Sequence, residues 1–542
     1  MQTPNKACHN CRRQRLRCDR SYPRCNKCRL AGKECLGYGQ LFRWTGSVAS
    51  RGRLAGKASS ADAVEGSLSP GRDDAKHGSN GFKETKVKYD MFSVSPPESE
   101  QDVEDDSSDT QLSRMSSPVS VDAPWAATPW VLADPLFQDM SQPYRHYLSY
   151  FTDRVCKDLV SFDGVPDKNP FRGLVPLTRA QPLLQHIIVA ASAAHMSNLL
   201  RPPMYPMAQP DGVITYPNAG QASKRALKDA LVAKHKALRL MHTAVQNIAT
   251  VGVDVVLAAA LFFINVELIE SGKHGWKAHL EGVGKMMAML PPSDSSTREL
   301  RDYMLSDCFS YFVLASAFMA ATSTIQSYFE SDRIPTVLQR VTDNSYICCP
   351  PRIMEILYSA TQLSNVRADD EESKRQVAMA GAELLHQAQS FDMLAWAAAA
   401  LNTPHLRDVP LQSRVNVGTA HQLAACLYIV QAIPELDHIV GPNAAEDLHS
   451  SMFKVLARVP PEDPNFKSTT WPTFVFAAGA TEPEKRAMAM DRLLKLVQCC
   501  PWGFIYTAME TLQVLWHLDQ GRKGGKTWIQ TLKDPELNFL IV

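Results

Sequence analysis

From about residue 143 onward, apolar side chains recur every three or four positions, and the pattern predicts one helix after another. In "ALKDALVAKHKALRLMHTAVQ" (226–246), Leu227, Ala230, Leu231, Leu238, Met241 and Val245 share one face at about 100° per residue. Lys234 interrupts that face, and its stem can lie along the apolar surface with the ammonium in water. The runs "PLLQHIIVAASAAHMSNLL" (182–200), "VDVVLAAALFFINVELIE" (253–270), "GAELLHQAQSFDMLAWAAAAL" (381–401) and "GFIYTAMETLQVLWHLDQ" (503–520) read the same way. Strand-like alternation and Asn-Gly or Asp-Gly turns are scarce, so residues 143–542 are expected to be all-α.

The pattern stops in residues 58–142. Segments such as "SPPESEQDVEDDSSDT" and "RMSSPVSVDAP" hold too little apolar surface to order, and a disordered acidic Ser/Pro-rich linker is expected. Tyr89, Met91 and Phe92 among acids leave two readings, an activation segment or a plain acidic spacer. Residues 1–57 are different again, being polar, cationic and rich in cysteine.

Charge sharpens this division. Residues 1–57 hold 14 Lys and Arg against Asp19 and Glu34, while the rest of the chain holds 43 basic and 54 acidic residues. A small basic head on a chain of net charge +1 points to a polyanion partner for the head. The start "MQTPNKACHN" lacks the apolar core of a secretory signal. The longest membrane-like stretch, Val255 to Ile264, is ten residues long, whereas a bilayer span needs about 20. A soluble intracellular protein with no membrane partner is expected, and there clustered cysteines favour metal over disulfides.

The head contains "CHNCRRQRLRCDRSYPRCNKCRLAGKEC", with cysteines at 8, 11, 18, 25, 28 and 35. The spacing C-x2-C-x6-C occurs twice, 17 residues apart. Zinc takes four ligands in a tetrahedron and favours thiolate. Six thiolates complete two such sites only if two of them bridge both metals. Sharing also limits the accumulated negative charge, which the nine Arg and Lys side chains of this stretch offset. Each half reads as a Cys pair, a short helix and a closing Cys. Asn10 is placed to cap the first helix and Gly32 to end the second, with a reversing loop from Asp19 to Arg24 around Pro23. A disulfide framework, a thiol-storage or redox role, and His9 as a further ligand are the competing readings.

The cysteine spacing, the stretch "CRRQRLRCD" and the proline ahead of the fourth cysteine resemble the fungal binuclear zinc-cluster transcription factors. The resemblance implies two zinc ions per chain, with Cys8 and Cys25 bridging and Cys11, Cys18, Cys28 and Cys35 terminal. It also implies a helix that enters the major groove of double-stranded DNA. The family position four residues after the second cysteine, usually Lys, reads a CGG triplet. Here it is Arg15, preceded by Gln14 where a basic residue is common. Arg forks onto guanine O6 and N7, so the reading of G is expected to persist, with Gln14 free to alter flanking preference. Arg12, Arg13, Arg17, Arg20, Arg24, Lys27 and Arg29 are better placed for phosphates. The tract after Cys35, with Phe42, Arg43, Trp44, Arg51, Arg53 and Lys57, shows no coiled-coil heptad. It reads either as a basic arm along DNA or as a tail docked on the cluster, and it resembles the acriflavine-sensitivity branch of the family.

The body resembles the family's regulatory module through "NPFRGLVPL" (169–177), "LLQHIIVAASAAH" (183–195), "GWKAHLEGV" (275–283), "CCPPRIMEIL" (348–357), "TWPTFVFAAGA" (470–480) and the helix of Trp516. No phosphate-binding loop or nucleophile elbow occurs in it. His186 and His195 lie on opposite sides of one helix, and Asp302, His274, His279 and Glu281 are isolated, so no enzyme is expected. Cys348–Cys349 and Cys499–Cys500 read as core or as redox-sensing thiols, and Trp276, Trp396, Trp471 and Trp516 as core or pocket. The expected function is a nuclear regulator of RNA polymerase II genes, targeting drug-tolerance or secondary-metabolite genes. Its partners would be the transcription machinery or co-regulators, with room for a small-molecule effector and a homodimer. The competing functions are a helical ligand-binding sensor tethered by its cluster, and a zinc-knuckle RNA binder. The RNA reading suffers because Tyr22 is the one aromatic residue between Cys8 and Cys35.

Overall fold

The computed structural model describes residues 7–8, 11–12, 16–21, 25–31 and 35, then 142–164, 168–201, 219–273, 275–287, 289–290, 295–319, 338, 344–519, 527–534 and 539–542. The chain divides into two compact units between Thr128 and Pro129. In the first, Cys11 and Arg12 are helical, and a short helix, α1, spans Asn26–Leu30. The described part of the second unit is helical, with one isolated antiparallel bridge between Val160 and Ser345 and no strand. Its first described helix, α2, spans Gln142–Tyr150. The expected linker, apart from Gln142, and the expected basic arm lie outside the described residues.

Two buried helices organise the body. The first half comprises α3 (Pro182–Leu199), α4 (Ala219–Gln246), α5 (Val253–Glu270), α6 (Trp276–Met287) and α7 (Ser295–Ser316). Helix α5 is apolar on every side, and each residue from Val256 to Ile269 is buried. A helix of that kind must be wrapped by others, and α3, α4, α6 and α7 pack around it. The membrane-like stretch Val255 to Ile264 is therefore a core helix. Among the described residues no single helix is long and apolar enough to cross a membrane. The second half comprises α8 (Pro351–Leu363), α9 (Glu371–Gln389), α10 (Leu411–Ala432), α11 (Ala444–Ala457), α12 (Thr470–Ala478), α13 (Pro483–Cys499) and α14 (Phe504–Asp519). There α10 is the buried axis, contacted by α8, α9, α11 and α12. Pro182, Pro351 and Pro483 each stand at a helix start, where a missing N–H costs no hydrogen bond.

Three local expectations need correction. In α4 the buried stripe is Ser223, Ala226, Ala230, Ala233, Ala237 and Ala244, whereas Leu227, Leu231 and Val245 are exposed. Small side chains let α4 lie close to α3, which is itself rich in buried alanine at Ala190, Ala191, Ala193 and Ala194. Close approach outweighed side-chain size in choosing the inner face. Lys234 does not reach for water; its ammonium pairs with Glu267 at 2.9 Å and Glu270 at 2.7 Å on α5. The run 381–401 breaks into the end of α9 and a second helix, Met393–Ala399, because Asp392 caps the latter by accepting the Ala395 N–H at 2.9 Å.

Polar contacts close the seams between distant segments. Asp158 accepts hydrogen bonds from His195 Nε2 and Trp502 Nε1, both at 2.9 Å, and His195 Nδ1 meets the Tyr150 hydroxyl at 2.8 Å. Burial alone would raise the Asp158 carboxyl, but His195 outweighs it and holds it below its ordinary value. Gly503 donates to the Ile269 carbonyl at 2.8 Å, and a Cβ there would collide with the Ile269 and Glu270 carbonyls. His186 bonds the Tyr144 hydroxyl at 3.1 Å, His279 stacks on Phe263, and Glu281 pairs with Lys285. These are structural roles, as the isolation of these residues suggested; His274 lies outside the described residues. Trp276 and Trp471 are buried, Trp516 donates to the Ala477 carbonyl, and Trp396 lies under Arg414. Cys348 and Cys349 are buried, Cys500 is half-buried and Cys499 is exposed; desolvation raises all four thiols, and the raised, buried Cys348–Cys349 pair suits core rather than redox duty.

Burial also makes the body acid-sensitive. His421 is fully enclosed, bonded through Nε2 to the Ser468 carbonyl at 2.9 Å, and desolvation pushes its pKa down from 6.5 to about 4. Below pH 6.5 the unfolded chain takes up a proton that the folded chain refuses until near pH 4. This group therefore removes stability as pH falls through that window, on the order of 3 kcal/mol by its lower end. Urea midpoints followed by circular dichroism are expected to fall steadily from pH 7 to pH 5. An unchanged midpoint would mean that His421 is not held neutral.

Candidate metal centre and nucleic-acid interface

The 17-residue repeat of the head is reproduced bond for bond. The Cys11 N–H donates to Cys8 Sγ at 3.4 Å, and the Cys28 N–H to Cys25 Sγ at 3.3 Å. The Cys8 N–H donates to Cys18 Sγ and the Cys25 N–H to Cys35 Sγ, both at 3.4 Å. Each thiol that closes a half thus accepts from the thiol-bearing residue that opens it. These donors favour the anionic, metal-binding form of sulfur and orient it. Helix α1 is capped by Cys25 itself. Asn10, Pro23 and Gly32 lie outside the described residues, and α1 ends at Leu30, just short of Gly32.

Asp19 does more than its sequence reading suggested. Its carboxylate accepts the Asn26 N–H at 3.0 Å, the Lys27 N–H at 3.2 Å and the Ser21 hydroxyl. The Ser21 hydroxyl and the two α1 amides hold this carboxyl well below the usual range. An acid before a helix N-terminus is the signal that could have revealed it.

The sulfurs form two groups of four, Cys8/Cys11/Cys18/Cys25 and Cys8/Cys25/Cys28/Cys35, each with all ligand atoms within 4.8 Å of one another. Cys8 and Cys25 belong to both. Their sulfurs are 3.5 Å apart, with Cys8–Cys28 at 3.7 Å and Cys11–Cys25 at 3.8 Å. A tetrahedron with Zn–S bonds of about 2.3 Å has edges of about 3.8 Å, and a disulfide would need about 2.05 Å. The six cysteines are free thiols in a geometry that fits two tetrahedra sharing an edge. Desolvation raises Cys8, Cys11 and Cys25, whereas the Cys8 and Arg20 N–H groups overcome it at Cys18 and bring that thiol to about 7. Divalent metal is what turns such a crowded set into thiolates.

Arg12, Arg17, Arg20, Lys27 and Arg29 are exposed around this centre, and none is held in an ion pair among the described residues. Leu16 and Leu30 are also exposed. Arg13, Gln14, Arg15 and Arg24, and His9, lie outside the described residues.

Comparison with known proteins places the same two units. Residues 6–45 match the fungal Zn(2)-Cys(6) binuclear cluster domain, and residues 146–541 match the fungal specific transcription factor domain. The chain belongs to the fungal zinc-cluster transcription factors. It is 30% identical to the acriflavine sensitivity control protein acr-2 of Neurospora crassa, over 99% of this chain and 97% of that one. No solved structure matches it. As a member of this family it is a DNA-binding transcription regulator rather than an enzyme, and its head is a binuclear cluster for two zinc ions. The family's two-part plan accounts for the division of charge. The cationic head is the DNA-binding cluster, and the helical remainder is the regulatory domain.

Proposed function

We propose that this regulator acts in the nucleus on RNA polymerase II genes, by binding CGG-type sites through a cluster in which Cys8 and Cys25 bridge the two zinc ions. Cys11 and Cys18 complete one tetrahedron, and Cys28 and Cys35 the other. The observation that carries this reading is the membership of Cys8 and Cys25 in both four-sulfur groups. Arg15 reads guanine, Gln14 tunes the flanking base, and Arg12, Arg13, Arg17, Arg20, Arg24, Lys27 and Arg29 hold phosphates. The five of these cations that the structure describes are exposed and free to do so. The name of the acr-2 relative directs the choice of target genes toward tolerance of acriflavine-like drugs. Secondary-metabolite genes are the second target class to test, by occupancy and by expression change on deletion. The regulatory domain would receive co-regulators, an effector or a second copy.

Arg15 and Arg29 separate base reading from phosphate holding. Arg15→Ala should weaken binding to a CGG site by about 1–3 kcal/mol and leave a scrambled duplex little changed. Arg29→Ala should weaken both duplexes alike and reduce the slope of affinity against salt by about 1. Titration of the full chain against both duplexes checks this. Equal loss on both duplexes for Arg15→Ala removes it as the base reader.

A further inference from the structure

The face of α4 that points away from α3 carries three large aliphatic side chains in water. Leu227 is 37% exposed, Leu231 53% and Val232 48%. Lys224, Lys228, Lys236 and Arg239 flank them on the same face, all exposed, and none forms an ion pair among the described residues. Helical spacing brings all seven onto the side opposite the buried alanine stripe. From Lys224 to Arg239 the face is about 22 Å long. The one acid within that span, Asp229, is engaged at its edge, accepting the Tyr147 hydroxyl at 2.8 Å. The charge is local, because residues 143–542 hold 37 basic and 38 acidic side chains.

We propose that this face of α4 is a docking surface for an acidic amphipathic segment of a partner protein. Such a segment, about four turns long if helical, would set apolar anchors on Leu227, Leu231 and Val232 and carboxylates against the flanking cations. Leu227, Leu231 and Val232, at i, i+4 and i+5, make one apolar ridge along α4, and such a ridge suits the apolar face of an amphipathic helix. The cations steer it and the aliphatic ridge holds it once water is excluded. A second copy of α4 is a poor occupant, because it would bring like charges together. Nucleic acid is a poor one too, since phosphates satisfy the cations but leave the central aliphatics uncovered.

The test uses the full chain and a fluorescein-labelled synthetic 16-residue peptide with Leu and Phe at i, i+4 and i+7 and Glu elsewhere. Anisotropy should report binding that falls at least tenfold for Lys228→Glu with Lys236→Glu, and at least tenfold for Leu227→Ser with Leu231→Ser. These positions are on the surface, so the helical circular dichroism and melting temperature should not change. A peptide of equal charge with Ala for the anchors should bind at least tenfold more weakly than the parent. Unchanged affinity in either variant would place the peptide elsewhere, on the cationic head included, and would overturn the proposal. So would equal binding of the Ala peptide, which would mean that charge alone is read. If the lysine reversals weaken a duplex lacking CGG as much as they weaken the peptide, the face is a nucleic-acid surface and the proposal also fails.

Discussion

A chain carrying Cys8→Ser is expected to hold neither zinc ion firmly and to lose DNA binding altogether. Cys8 belongs to both groups of four sulfurs, so its replacement removes a ligand from two tetrahedra at once. Cys25→Ser should behave in the same way. Cys11→Ser removes a ligand from one group and leaves Cys8, Cys25, Cys28 and Cys35 complete, so its zinc content should lie between wild type and Cys8→Ser. Metal binding and folding are one event in a unit this small, and structural zinc supplies about 10–16 kcal/mol at neutral pH. Chelation of the wild-type chain should therefore abolish the mobility shift on a CGG duplex, and zinc should restore it. The helical circular dichroism belongs to the second unit and should persist in every one of these samples. DNA binding retained by Cys8→Ser would contradict the shared-ligand arrangement.

The second large effect is expected in the body, at Arg492 on α13. Its guanidinium is buried without a carboxylate against it, and desolvation lowers its pKa to about 10. It is held instead by four oxygens and a ring. Nη1 donates to the Leu456 carbonyl at 2.9 Å and the Val459 carbonyl at 2.7 Å, which close the end of α11. Nη2 donates to Thr469 Oγ1 at 2.9 Å and Nε to Thr473 Oγ1 at 3.2 Å, while the guanidinium lies 4.6 Å over Phe466. One side chain thus ties α11, α12 and α13 together. Arg492→Ala strands those carbonyls and hydroxyls in the interior and should destabilise the body by about 3–5 kcal/mol. Arg492→Lys should rescue little, because a single ammonium cannot reach both carbonyls and both hydroxyls in one plane. Urea denaturation measures both. A loss below about 1 kcal/mol in the alanine variant would mean that water replaces the guanidinium.

The head was legible from sequence because its information lies in covalent spacing. Ligand number and the 17-residue repeat describe the cluster before any packing is known, and the repeat reappears as matched N–H···S bonds. The bridging pair is harder to read, since spacing alone does not say which two sulfurs are shared. Asp19 escaped because a lone acid among many cations reads as a charge rather than as a cap. In the body, α5 was legible because a helix apolar on all sides has one possible place. Helix α4 misled for the opposite reason. Ranking positions by side-chain hydrophobicity favours leucine, whereas α3 selected the alanine stripe for close approach and left Leu227 and Leu231 in water. Arg492 and the Asp158–His195–Trp502 network join residues far apart in sequence, and no local pattern announces them. The end of α9 could have been found, since Asp392 after Ser390 and Phe391 is an ordinary helix-start signal.

The most direct test of the shared-thiolate cluster is native mass spectrometry of the full chain, which counts the metals held by the six cysteines. The account predicts a mass equal to the chain plus two zinc ions less four protons, two for each Zn2+ bound. A mass with a single zinc ion in a zinc-saturated sample would contradict it.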